Sequence, residues 1–298
     1  MKILICSDGH AQAERAVRFI ASPAAACGAQ VTILGIIEHP ADEAALTESL
    51  RRSAELLRQQ GVTVETVTRA GLPLSEIQSR TQNEHYDLVV IGAERKGGGA
   101  FALSAKAHHL IKEIEPPVLV MIGQRTTLKK MLICSGGHPY VEKAIQLAGT
   151  LASKTKVPVT IFHVLAEAPA VYSDLLEEEA ESQKLLASNS LLARNLRKEM
   201  GALGALGVEV RAKLRHGFVS SSILQEAEEG EYDMIVTGSA PAGGALRTYV
   251  MGNVTSEIVN RADCTVLVVR NEIPGKALSS WRWFTGFFGR SRKQKSKP

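Results

Sequence analysis

Cysteine is scarce in this sequence: there are four in 298 residues, none in a CxxC pair. That spacing suggests neither a disulfide framework nor a zinc ribbon, and it fits a chain kept in a reducing, cytoplasmic setting. Long apolar runs are missing as well. No stretch approaches the roughly 18 residues that a membrane-spanning helix needs, and the apolar run in "MKILICSDGH" stops at Asp8, too short for a secretory signal. No glycine loop ends in Gly-Lys-Ser/Thr, which excludes a Walker-type NTPase. His108, His109 and His163 have no carboxylate or cysteine at ligand spacing, so no metal site is expected. No Ser-His-Asp context marks a nucleophilic enzyme either.

What is present is 45% apolar and 22% charged, enough for two ordinary domains with their own cores. The net charge of +4 is unevenly spread. Seven Lys or Arg and no acid follow Pro274, leaving 28 basic against 31 acidic residues before it. Basicity is therefore a property of the tail alone.

The chain repeats itself. "ILICSDGHAQAERAVRFIA" from Ile3 matches "MLICSGGHPYVEKAIQLAG" from Met131 at an offset of 128, and "VTIL" at Val31 meets "VTIF" at Val159 in the same register. At Gly61/Gly207, Gly71/Gly217 and Asp87/Asp233 the offset is 146, and at Pro117/Thr265 it is 148. An insertion of 18 residues thus lies between the second strand of the second copy and Gly207. The repeat divides the chain into residues 1–125, 126–272 and a tail, 273–298.

Each copy alternates strands and helices. "KILICS", "VTILGII", "VTVETVT", "YDLVVIG" and "PVLVMIG" are β-branched and continuously apolar, the pattern of parallel strands buried on both faces. Ala13, Ala16, Val17, Ile20 and Ala24 recur at helical spacing, as do Leu46, Leu50, Ala54 and Leu57. In the second copy, Asp174 with Glu177 predicts the cap of one long helix carrying Leu185, Leu192, Leu196, Met200 and Leu203. The prediction is α/β: two tandem doubly wound units, each a five-stranded parallel sheet with helices on both faces. Ligands of such units bind at the carboxyl ends of the strands.

Strand one ends in Ser7-Asp8-Gly9-His10 in the first copy and Ser135-Gly136-Gly137-His138 in the second. A carboxylate at Asp8 can accept from a ligand's amine or ribose hydroxyls, or cap the next helix; Gly136 offers only backbone. After strand four stand "GAERKGGGAFALSAKA" from Gly92 and "GSAPAGGALRTYVMGNVT" from Gly238. Clustered glycines before a helix let successive amides converge on phosphate oxygens. Gly252 and Asn253 open a predicted helix in the second copy, where the first has Ser104 and Ala105. Cys6 and Cys134 end equivalent buried strands and read as small core residues.

These features resemble the tandem universal stress proteins over residues 1–272: "ILICSDGH", the strands "YDLVVIGA" and "YDMIVTGS" preceded by Gly71 and Gly217, and glycine loops leading to a helix and a "VLVV"-like strand. The resemblance implies ATP or AMP as ligand, with Asp8 beside adenine and Ser7 next to it. A loop of the form G-x2-G-x9-G-[ST] would hold ribose and phosphates. The first copy keeps Gly92 of that loop; the second keeps Gly238, Gly243, Gly244, Gly252 and Thr255, with Asn253 for Ser and Gly136 for the Asp. Each copy has thus kept a different half of a site. The resemblance further implies a non-enzymatic stress-response module whose two units pack as a pseudo-twofold pair through their last strands. A nucleotide-free protein-interaction module and a slow ATP hydrolase are the other readings. "SGGHPY" also fits the start of an ATP-pyrophosphatase loop, but Pro139 and Tyr140 stand where Asp and Ser belong.

The tail places Trp281, Trp283, Phe284, Phe287 and Phe288 beside Arg290, Arg292, Lys293, Lys295 and Lys297. Aromatic rings next to a polybasic run suit the interface of an anionic membrane, each basic residue contributing on the order of 1 kcal/mol. Folding back onto the domain is the alternative. Nucleic acid is a lesser option, because crowded aromatics suit a lipid interface better than spaced base stacking.

Overall fold

A computed structural model describes residues 1–93, 105–137, 142–165, 178–239 and 252–270. The first unit runs β1 (Lys2–Ser7), α1 (Ala11–Ala26), β2 (Gln30–Ile37), α2 (Glu43–Gln59), β3 (Thr63–Ala70), α3 (Pro73–Asn83), β4 (Leu88–Gly92), α4 (Ala105–Glu113) and β5 (Val118–Met121). The second runs β6 (Met131–Cys134), α5 (Glu142–Thr155), β7 (Val159–Leu165), α6 (Glu178–Ala187), α7 (Leu191–Ala205), β8 (Val210–His216), α8 (Val219–Glu229), β9 (Met234–Ser239), α9 (Asn253–Arg261) and β10 (Thr265–Arg270).

The strands form one ten-stranded sheet, ordered β3-β2-β1-β4-β5-β10-β9-β6-β7-β8. Pairing is parallel within each unit. At the centre β5 and β10 run antiparallel, with Val118, Leu119 and Val120 opposite Val268, Leu267 and Val266. The two units thus share one sheet through their last strands. One apolar layer sets α1, α2, α5 and α7 against Ile3, Ile5, Ile133 and Leu267. The opposite layer gathers Leu4, Val89, Ile235 and Val266 with Ile77, Ile111, Ile223 and Ile258 of α3, α4, α8 and α9.

Two expectations need correction. β3 was predicted to be buried on both faces, yet none of its residues is buried, and in β8 only Leu214 is. Both are outermost in the sheet, so their flanks meet solvent. The single long helix expected in the second unit is two helices. α6 stops at Ala187, and Ser190 caps α7 by accepting from the Ala193 amide at 3.1 Å. Asp174 and Glu177 lie outside the described residues. α6 packs on β8, where Ser182 Oγ accepts from the Leu214 N–H at 3.1 Å. The insertion thereby occupies a backbone donor on a strand that would otherwise be an open edge.

The Tyr-Asp pair before β4 and β9 is structural. Asp87 accepts from the Lys2 amide at 2.7 Å, and Asp233 accepts from the amides of Lys129 and Lys130 at 2.7 and 3.0 Å. Tyr86 and Tyr232 are buried, each with its hydroxyl beside a β2 or β7 threonine, Thr32 or Thr160. Around this shared core the charges at two equivalent positions are exchanged between the units. In the first, Arg80 of α3 faces Glu65 of β3; at the equivalent positions of the second stand Glu226 of α8 and Arg211 of β8.

Candidate functional site

The strand order reverses between β1 and β4 in the first unit, and between β6 and β9 in the second. At such a switch point the two helices diverge to opposite faces and leave a crevice at the carboxyl ends of the strands. Cys6 pairs with Ile91 and Cys134 with Thr237, so Ser7 lies level with Gly92, and Ser135 with Gly238. Ser7 and Gly92 therefore stand at one sheet end in the first copy, and Ser135 and Gly238 in the second.

In the first unit, Ser7 is buried and its Oγ accepts from the Gly9 amide at 3.2 Å. Gly9 has φ +82°, which an L side chain adopts at a cost, and it turns the chain into α1. Asp8 does not cap that helix: the N-cap is His10, without a side-chain bond. Instead Asp8 Oδ1 accepts from the His10 amide at 3.0 Å and lies 3.3 Å from His10 Nδ1. The Asp8 side chain keeps 60% of its surface exposed. Its carboxylate is held in place yet open to a ligand.

Gly92 has a packing role: a Cβ there would stand 2.7 Å from the Gln12 carbonyl carbon and the Ala13 amide nitrogen. Its bare backbone lets the first turn of α1 lie against β4.

In the second unit, Gly136 is exposed and Gly137 has φ +69°, matching Gly9. Gly238 is half-buried near the end of β9, and Gly252 is the exposed N-cap of α9, with Asn253 exposed beside it. Nothing crowds Gly252 within 4 Å of an added Cβ. Thr255 turns inward, 3% exposed, with its hydroxyl 3.2 Å from that of Thr237. It ties α9 to β9 and does not face the edge. Gly243 and Gly244, His138, and the tail residues Trp281, Trp283, Phe284, Phe287, Phe288, Arg290, Arg292 and Lys293 lie outside the described residues.

Sequence reasoning missed what lies behind Ser135. Its Oγ accepts from the Gly137 amide at 3.1 Å and lies 3.0 Å from Glu199 Oε1, to which it donates. His163 donates from Nδ1 to the Ser135 carbonyl at 2.7 Å, and Asn195 donates to the Gly137 carbonyl at 2.7 Å. A carbonyl only accepts, so His163 carries its proton on Nδ1. Glu199 is buried, and burial raises its carboxyl to about 6 against the opposing Ser135 hydrogen bond and the Lys198 charge. The signal was available: at the repeat offsets of 128 and 146, His163 stands against Gly35 and Glu199 against Ser53.

Cys6 and Cys134 are held protonated by burial and are inert core thiols. Among the described residues no group of three or more His, Cys, Asp or Glu could hold a metal ion, and no helix is long and apolar enough to cross a membrane.

The fold defines a class: a tandem, doubly wound α/β chain with one topological switch point per unit. The chain belongs to the universal stress protein family, whose model matches residues 1–121 and again 127–270. A universal stress protein of Methanothermobacter thermautotrophicus is 24% identical over 142 residues, which cover 48% of this chain and 95% of that protein. The fold of the whole chain is shared with a universal stress protein from Archaeoglobus fulgidus, at TM-score 0.66 and 17% identity, over 90% of this chain and 98% of that one. A Pseudomonas aeruginosa relative matches equally, at TM-score 0.66 and 18% identity over 91% and 93%.

Proposed function

We propose that this tandem universal stress protein is a non-enzymatic regulatory module that binds an adenine nucleotide, ATP or AMP, in its first unit. The observation that carries the reading is Asp8: an exposed, oriented carboxylate at the switch point, level with Gly92 and fed by a glycine turn. Such a carboxylate accepts from the adenine amine or a ribose hydroxyl. The second unit, with Gly136 in that place, binds nucleotide more weakly or takes another ligand.

Titration calorimetry of the full chain with ATP and with AMP tests this. Binding is expected, and Asp8→Ala should weaken it roughly tenfold or more, the worth of one hydrogen bond to a charged group. No heat at millimolar nucleotide would sink the reading in favour of a nucleotide-free interaction module. Phosphate release from ATP by the purified protein would replace it with a slow hydrolase.

The aromatic and basic tail supports attachment to an anionic membrane surface as a second property. Flotation with liposomes rich in anionic lipid should fall several-fold when residues 276–298 are removed; equal flotation of both forms would remove this property.

A further inference from the structure

The two strand ends are built on one plan with one exception. In both units an ion pair joins the first helix to the helix that precedes the third strand: Arg52 of α2 donates to Glu14 of α1 in the first, and Lys198 of α7 to Glu142 of α5 in the second, each at 2.8 Å. Beneath that pair the first unit has Ser7, Gly35, Ser49 and Ser53; the second has Ser135, His163, Asn195 and Glu199. Small neutral groups have been exchanged for a hydrogen-bonded brace that grips the Ser135–Gly137 turn by both carbonyls and by the serine hydroxyl. Its deepest member is incompletely satisfied. Glu199 is 8% exposed, and its Oε2 is buried with no hydrogen-bond partner among the described residues.

We infer that Glu199 is a proton-linked positioning residue of the second unit: its ionisation loosens the Ser135–Gly137 turn, so that ligand access there, and not at the first unit, varies with pH. A neutral carboxyl can stay buried with one hydrogen bond. A carboxylate with one bare oxygen is far costlier to keep from water. Hydrating that oxygen requires α7 and the turn to part. Burial places the titration at about 6, so the brace is closed below that value and strained above it. An anionic ligand is favoured by the same closed, neutral state.

The groups that could mask or mimic this titration are named by the packing. His163 of β7 grips the same turn, and Lys198 of α7 is paired with Glu142 of α5. The other charged residues in the sequence of these helices are Lys143 and Lys154 of α5, Glu178, Glu179, Glu181 and Lys184 of α6, and Arg194 and Arg197 of α7. In the first unit Ser53 cannot titrate, which makes that unit the internal reference.

The test needs no ligand, so its outcome is independent of nucleotide binding. The amide exchange rate of Gly137 divided by that of Gly9 cancels the intrinsic pH dependence. In the full-length protein this ratio should rise about tenfold between pH 5 and pH 8. Glu199→Gln, which cannot ionise, should flatten it, while His163→Gln should keep the rise. Should Glu199→Gln fail to fold, Glu199→Ser, the first unit's own solution, replaces it. A flat ratio in the unaltered protein, or a rise that persists in the Glu199 variants, overturns the inference.

Discussion

Glu226→Ala is expected to lower the unfolding free energy by about 3 kcal/mol, whereas Arg80→Ala, at the equivalent position, should lower it by about 1 kcal/mol. The two side chains occupy the same place against the tyrosine–threonine pair, but in different surroundings. Glu226 is 2% exposed, with Oε2 2.6 Å from Lys213 Nζ and 3.3 Å from Arg215 Nη2, and its Oε1 accepts from the Tyr232 hydroxyl at 3.2 Å. Removing it takes a buried carboxylate from two cations at once; Arg215 keeps Glu229 at 2.8 Å and the Tyr232 hydroxyl keeps Thr160 at 2.9 Å. Arg80 faces Glu65 and Glu84 with more of each group in water, so solvent replaces what is lost. Urea unfolding followed by circular dichroism measures both losses. Equal losses would show that burial does not set the strength of these exchanged ion pairs.

The legible part of the fold came from repetition. Offsets that hold over whole elements aligned β1 with β6 and β4 with β9, and the sheet reverses its order between the two strands of each pair, β1 and β4 and then β6 and β9. Edge strands were not legible. "VTVETVT" has the β-branched composition of a buried strand, but its exposure depends on whether a further strand lies beyond it, which no local pattern encodes. The break between α6 and α7 was masked by the leucine stripe from Leu185 to Leu203, which keeps helical spacing across Ser188-Asn189-Ser190. Glu199 escaped for a related reason. A glutamate on an amphipathic helix reads as solvated, and only its register against Ser53 marks it as an intruder in a buried row. Thr255 shows the converse: its place in a loop pattern suggested phosphate, and its packing on Thr237 reassigns it.

The seam between the units yields the other large effect. Leu119→Ala and Leu267→Ala should each cost about 3 kcal/mol, because each empties a fully enclosed leucine site. The two residues are register partners across the antiparallel β5–β10 pair and lie in the same apolar layer. Truncating one therefore loosens the packing of the other, and the double variant should lose about 1 kcal/mol less than the sum. The seam also carries polar ties. His108 Nε2 lies 2.6 Å from Asn260 Oδ1, and Arg125 donates to Asp233 at 3.0 Å. Were one unit to unfold alone, the other would expose the whole edge of β5 or β10 with its valines and leucines. That penalty makes a single unfolding transition the expected result for the intact protein, seen alike by far-ultraviolet dichroism and by tyrosine absorbance. Two separated transitions, or strictly additive losses, would mean that the central strand pair joins the units without coupling them.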